Sequence, residues 1–202
     1  MNGSTTLRGA LGVTLLRTKA PLWWRLRNTL RRDFLWGWIT YHLMLTLSRI
    51  TKIPCLLGKL TLTHNRADGS RVDYGTVSYR VVTSAFVNFL VDNLQTDTTE
   101  IGDFKYHDSG VGTTNEASGD TAMETTDGES RATGSQTEGA SANIYKSVGT
   151  ISYTSTKAIT EHGVFSQSSA GTLMDRSKFT AVNVVNGDSI QFSYELTVSA
   201  GG

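Results

Sequence analysis

Residues 178–198 read KFTAVNVVNGDSIQFSYELTV. Within them Ile190, Phe192, Tyr194, Leu196 and Val198 alternate without a break with polar neighbours. A period of two is the mark of a strand with one buried face. Ser189–Val198 therefore predicts the best-defined strand of the chain, one that lies inside a sheet. Lys178–Val185 reads as β as well. Asn186-Gly187 between them has the chemistry of a two-residue hairpin turn.

Working back from that stretch, Lys157–Phe165, Ile144–Thr154, Arg131–Thr137 and Phe104–His107 also read as β segments. Residues 108–130, DSGVGTTNEASGDTAMETTDGES, are polar, glycine-rich and acidic. They predict a long surface loop, and loops of that length usually bind something or move. Further back, Leu60–Thr63 and Val72–Tyr79 flank the turn sequence NRADGS and predict a hairpin. One helix interrupts the β pattern. Thr83 or Ser84 can cap AFVNFLVDNLQ, with Phe86, Phe89, Leu90 and Leu94 on one face. About eight short strands with one helix predict a mainly β body, a β-sandwich or jelly-roll-like fold over residues 59–202.

Residues 1–58 differ in kind. Over residues 1–60, ten Lys/Arg stand against one acid (Asp33), a net charge of +9. The remainder has nine against seventeen, a net of −8, so the total of +1 hides a sharp split. All four tryptophans and both prolines lie in the basic part. Pro21 is placed to open a helix. Trp23, Leu26, Leu30, Phe34, Trp38, Tyr41 and Leu45 then recur in steps of three or four, with Arg25, Arg31 and Arg32 pointing elsewhere and Arg27 at the edge. The pattern predicts a basic amphipathic helix, bent or broken near Gly37 and ended before Pro54.

Phe34–Leu47 is the most apolar run, yet at 14 residues it is shorter than the roughly 20 a spanning helix needs. About 33 residues precede it and no small-residue cleavage site follows, so neither a signal peptide nor a membrane span is expected. Three outside occupants suit such an arm, a protein groove, nucleic-acid phosphates or an anionic membrane, and the plain alternative is a terminal helix packed on its own body with Arg on the wet face. Burial against a partner leads, because four tryptophans and a long apolar run are much to leave in water. The docking residues are then Trp23, Trp24, Arg25, Arg27, Arg31, Arg32, Phe34, Trp36 and Trp38.

Catalytic and metal chemistry have little to stand on. His107-Asp108 and Glu161-His162 are adjacent His–acid pairs in different segments, but there is no His-x-His, no HExxH and no cysteine cluster. Gly110-Val111-Gly112-Thr113 lacks the Gly-Lys-Ser/Thr of a phosphate-binding loop, and no G-x-S-x-G elbow occurs. The single Cys55 excludes an internal disulfide. The expectation is a protein without enzymatic activity, metal or cofactor.

From about Arg71 onward the chain resembles a group of structural proteins of tailed bacteriophages. The segments that carry the likeness are VVTSAFVNFLVDNLQ, FKYHDSGVGTTNEASGDTAM, TGSQTEGASANIYKSVGTISY and ITEHGVFSQSSAGTLMDRSKFTAVNVVNGDSIQFSYELTVSAGG. The resemblance implies a β-rich, non-enzymatic virion component. It would be a capsid cement or decoration protein or a tail or neck component, docked in many copies on other virion subunits. A homo-oligomer is expected, with nucleic-acid contact by the arm left open. A receptor- or glycan-binding module at a tail tip, using the acidic loop, is the alternative.

Overall fold

The computed structural model describes residues 17–80, 82–95 and 104–199. The terminal Ala-Gly-Gly, read as a free end, lies outside these residues, as does most of the lead before Pro21. The elements in chain order are β1 (Arg17–Lys19), α1 (Leu22–Thr29), α2 (Arg32–Thr51), β2 (Cys55–Asn65), β3 (Arg71–Arg80), α3 (Ser84–Gln95) and β4 (Tyr106–Gly110). They continue as β5 (Ala132–Thr133), β6 (Ser135–Glu138), β7 (Ile144–Ser152), β8 (Lys157–Phe165), β9 (Leu173–Val184) and β10 (Ser189–Ser199).

The body is mainly β and sandwich-like, as the alternating segments predict. One sheet has the order β1-β3-β2-β10-β7-β6, the other β5-β4-β8-β9. Ile190, Phe192, Tyr194 and Leu196 of β10 share a core with Leu60, Leu62, Val77 and Ile151 of the same sheet and with Ile159, Val164, Phe179 and Val182 of the other. β10 pairs along its whole length with β2 and over nine residues with β7, so the strand read first in the sequence is central in its sheet. The β2–β3 hairpin forms around the expected turn, with Asn65 opposite Arg71 and Gly69 in the left-handed region.

The Asn186-Gly187 turn is not a hairpin. β9 belongs to one sheet and β10 to the other, so the chain crosses between layers at this corner. Buried Asp188 redirects it. Its side chain accepts from the backbone N–H of Val185 and of Ala67 and pairs with His64 at 2.8 Å, while its carbonyl accepts from Tyr153 N–H. Gly187 N–H also bonds to Tyr153. Burial would raise the Asp188 pKa, but the two backbone donors and His64 outweigh it, and the pKa is lowered. The turn's backbone groups are thus satisfied by Tyr153 at β7's end, by the Asp188 carboxylate and by the Asp188 N–H bond to the Val185 carbonyl, rather than by a ladder between β9 and β10.

β9 also begins five residues earlier than expected. Asp175, Arg176 and Ser177 are almost fully buried in strand conformation, which their polarity hides in the sequence. α3 is capped as predicted, with Phe86 N–H bonding to Thr83 Oγ1. Phe86, Phe89 and Leu90 pack on the core, whereas Leu94 is exposed.

Candidate functional site

The helical segment is two helices, and its break is at Leu30–Arg31 rather than at Gly37. Arg31 is extended (φ −60°, ψ 130°) and resets the chain direction before α2. Gly37 lies inside α2 for a packing reason. A Cβ there would sit 2.5 Å from the carbonyl oxygen of Tyr79, so glycine lets the helix press onto β3.

α1 is part of the sandwich. Trp24, read from the sequence as a docking residue, is 3% exposed. Its Nε1–H bonds to Ala181 O of β9 at 2.8 Å, and its ring meets Tyr74 of β3 edge-on at 4.5 Å. One turn later, buried Asn28 donates from Nδ2 to Val77 O of β3 and accepts at Oδ1 from Thr180 N–H of β9. A single side chain thereby bridges one strand of each sheet. The predicted stripe missed this face: Trp23, Leu26 and Leu30 point outward, and the buried positions are 24 and 28. The expected division at residue 58 falls inside β2, which runs from Cys55.

α2 lies across the outer face of the six-stranded sheet. Phe34 and Tyr41 pack on Tyr79, Tyr41 Oη pairs with Thr197, and buried Ser48 pairs with Ser199. The inward stripe is therefore 34, 37, 41, 45 and 48. A second apolar stripe, Trp36, Ile39, Leu43, Leu47 and Ile50, faces away from it. At about 100° per residue the two stripes are centred roughly 180° apart. Trp36 is 58% exposed, Leu43 52% and Ile50 70%. From position 34 to 48 α2 carries no Lys, Arg, Asp or Glu. The helix is thus apolar on both sides, and the described residues cover only one. Of the predicted residues, Trp36 lies on the outer stripe. Trp38 flanks the sheet side, 44% exposed and 4.8 Å from the His42 ring. Ile39, Leu43, Leu47 and Ile50 were missed, although their steps of three and four were readable.

The four arginines separate. Arg25, Arg27 and Arg32 are exposed. Arg31 is half-buried and grips Asp33 through Nε and Nη2. With Arg27 and Arg32 it lines a cleft between the α1–α2 corner and β8–β9, whose other walls include Thr160, Lys178 and Thr180.

The acidic loop is held down rather than left free. Fully buried Glu161 on β8 accepts from the backbone N–H of Gly112, Glu124 and Thr125 and from Arg176 Nε at 2.7 Å. Arg176 also reaches Asp120, Glu124 and the Thr114 carbonyl. Burial opposes the Arg176 charge, but Glu161 and Asp120 outweigh it and raise its pKa. Arg131 ties Asp108 to the carbonyls of Gln167 and Ala170 and lies 3.5 Å over the Phe165 ring. The loop acids serve these internal bonds.

The two His–acid pairs do not meet as one site. Neighbours on a strand face opposite sides, so His162 points into the core while Glu161 points to the loop. His107 Nδ1 and His162 Nε2 are 2.9 Å apart, His107 Nε2 meets Ser147 Oγ at 2.8 Å, and His162 stacks on Phe192. Burial pushes the His107 pKa from 6.5 to about 4. Burial, and then the charge of His107, holds His162 well below its usual value. Among the described residues no three His, Cys, Asp or Glu side chains gather as ligands for a metal ion, and no helix is long and apolar enough to cross a membrane.

No protein-family profile, no curated protein and no solved structure matches the chain.

Proposed function

We propose that this chain is a non-enzymatic structural protein, of the tailed-phage virion class its sequence resembles, that assembles by burying the outer stripe of α2 against a second copy of itself. One observation carries the reading: a surface helix with no charged side chain from 34 to 48 exposes Trp36, Ile39, Leu43, Leu47 and Ile50 as one continuous stripe. Contiguous exposed apolar surface of this kind marks an interaction site.

The stripe's chemistry supports a helix as occupant. Steps of 3, 4, 4 and 3 residues are the spacing with which two helices interlock side chains. A second copy supplies such a helix, equally free of charge over the same span, so no carboxylate or ammonium is desolvated without a partner. The stripe is also centred on Leu43, which makes it self-complementary about a two-fold axis. Arg32 and Arg49, at the rim, stay in water. The firmly bonded acidic loop offers no comparable unpaired surface, and the assembly reading is preferred to the glycan-binding one.

The test replaces Trp36, Leu43 and Leu47 together by Gln in the full chain. Light scattering across a concentration series should find the natural chain oligomeric and the variant monomeric, with the melting temperature of the monomer retained. A natural chain that is monomeric throughout, or binds anionic vesicles through these residues instead, overturns the proposal. For the virion assignment, mass spectrometry of purified particles should find the chain in many copies.

A further inference from the structure

We infer that the cleft between the α1–α2 corner and the β8–β9 edge is a binding site for a phosphate group. It adjoins the N-terminal end of the assembly stripe, with Arg32 at the boundary between the two. The cleft has a volume of about 330 Å³ and is walled by Arg27, Arg31, Arg32, Lys178 and Thr180, with Asp33 its one carboxylate among the described residues.

Three independent features converge there. The first is charge. Four cations face one acid, and that acid is already gripped by Arg31 through Nε and Nη2. Arg27 and Arg32 form no ion pair among the described residues. Lys178 is bonded to Asn115 Oδ1 at 3.0 Å, so it contributes field rather than a free donor.

The second feature is unmet hydrogen-bonding capacity. Among the described residues Arg31 Nη1 is buried with no partner, and so is the hydroxyl of Thr180, a residue only 7% exposed. Buried polar atoms nearly always have partners, and an unpaired one is costly. Arg31 is held by Asp33 and Thr180 by Asn28, whose Oδ1 accepts its N–H. Asp33 fixes the Arg31 guanidinium, whereas the Thr180 hydroxyl can rotate toward the cleft. An oxyanion on the cleft floor would come within reach of both after a small side-chain shift.

The third feature is the start of α2. Arg31 occupies its N-cap position without a side-chain cap, so the first-turn N–H groups and the positive end of the helix dipole meet the same corner. Guanidinium groups suit phosphate because they present paired donors to its oxygens. Phosphate is favoured over a carboxylate because donors arrive from three elements, α1, α2 and β9, around one space.

The phosphate can be a free ion or part of a nucleic-acid backbone, and the test separates these. The full chain is titrated with sodium phosphate at constant ionic strength, with chloride as the control, and with a duplex DNA oligonucleotide by fluorescence anisotropy. The comparison variant is Arg27→Gln/Arg32→Gln, two exposed side chains whose loss leaves the internal bonds intact. Saturable binding of either probe by the natural chain, weakened at least tenfold in the variant, supports the site. Phosphate binding without DNA binding identifies a small-molecule source. DNA binding lost in the variant, with a shallower salt dependence, identifies the backbone. If phosphate does no more than chloride and DNA binding is unchanged in the variant, the inference is wrong.

Discussion

Asn28→Ala should destabilise this protein far more than its place on a short terminal helix would indicate. The side chain makes two bonds in the interior, to Val77 O at 3.1 Å and from Thr180 N–H at 3.0 Å. Alanine leaves a buried acceptor on β3 and a buried donor on β9, each worth about 1–3 kcal/mol when unpaired. The expected loss is on the order of 3 kcal/mol. For a chain of this size that is a fall in melting temperature of roughly 6–12 °C. Asn28→Asp refines the test. Its oxygen still accepts from Thr180 N–H, but the second carboxylate oxygen faces the Val77 carbonyl, so this nearly isosteric change should cost at least as much. The assay is urea unfolding of the full chain, compared by midpoint at constant slope, with exposed Thr29→Ala as a control expected within about 0.5 kcal/mol. If Asn28→Ala matches that control, α1 is not the bridge between the sheets described above.

Gly37→Ala should destabilise, although glycine to alanine within a helix ordinarily stabilises by about 0.5–1 kcal/mol, because the new Cβ meets the Tyr79 carbonyl oxygen at 2.5 Å; thermal melting reads the sign. Acid should weaken the fold early. The unfolded chain protonates its histidines near 6.5, whereas folded His107 resists until about 4 and buried His162 is also held well below 6.5. Stability is then complete above about pH 6.5 and falls as the pH drops toward 4, by at most about 1.4 kcal/mol per pH unit per ring. Urea midpoints at several pH values should show this, with a flatter slope in His107→Gln. A natural chain equally stable from pH 7.5 to pH 4.5 contradicts it.

Much of the body was legible because its strands alternate. β10, the β2–β3 hairpin and the Thr83-capped α3 all follow from local pattern and turn chemistry. The corner at Asn186-Gly187 was not, since the same dipeptide serves a hairpin or a layer crossing. The choice rests on Asp188 meeting His64 and Ala67, more than 120 residues away in sequence. The start of β9 was hidden because Asp175 and Arg176 look like loop residues until Arg176 finds Glu161. In the helical segment, polarity misled twice. Asn28 falls off the apolar stripe but closes the sandwich, and Gly37 read as a break but is a contact. The docking surface was half legible. Its tryptophans signalled burial and the steps of three and four from Trp36 to Ile50 were readable, but in a helix with apolar residues on every side the sequence alone does not say which stripe the sheet covers.

Disulfide trapping tests the central claim, that α2's outer stripe meets the same stripe of another copy. Leu43 is the midpoint of positions 36–50, so two copies bring it beside itself whether their helices run parallel or antiparallel. In a Cys55→Ser background, Leu43→Cys should oxidise to a covalent dimer, because bridged Cα atoms must come within about 7 Å. Glu138→Cys on exposed β6, in the same background, should remain monomeric. A Leu43→Cys chain that cross-links no faster than Glu138→Cys contradicts the account.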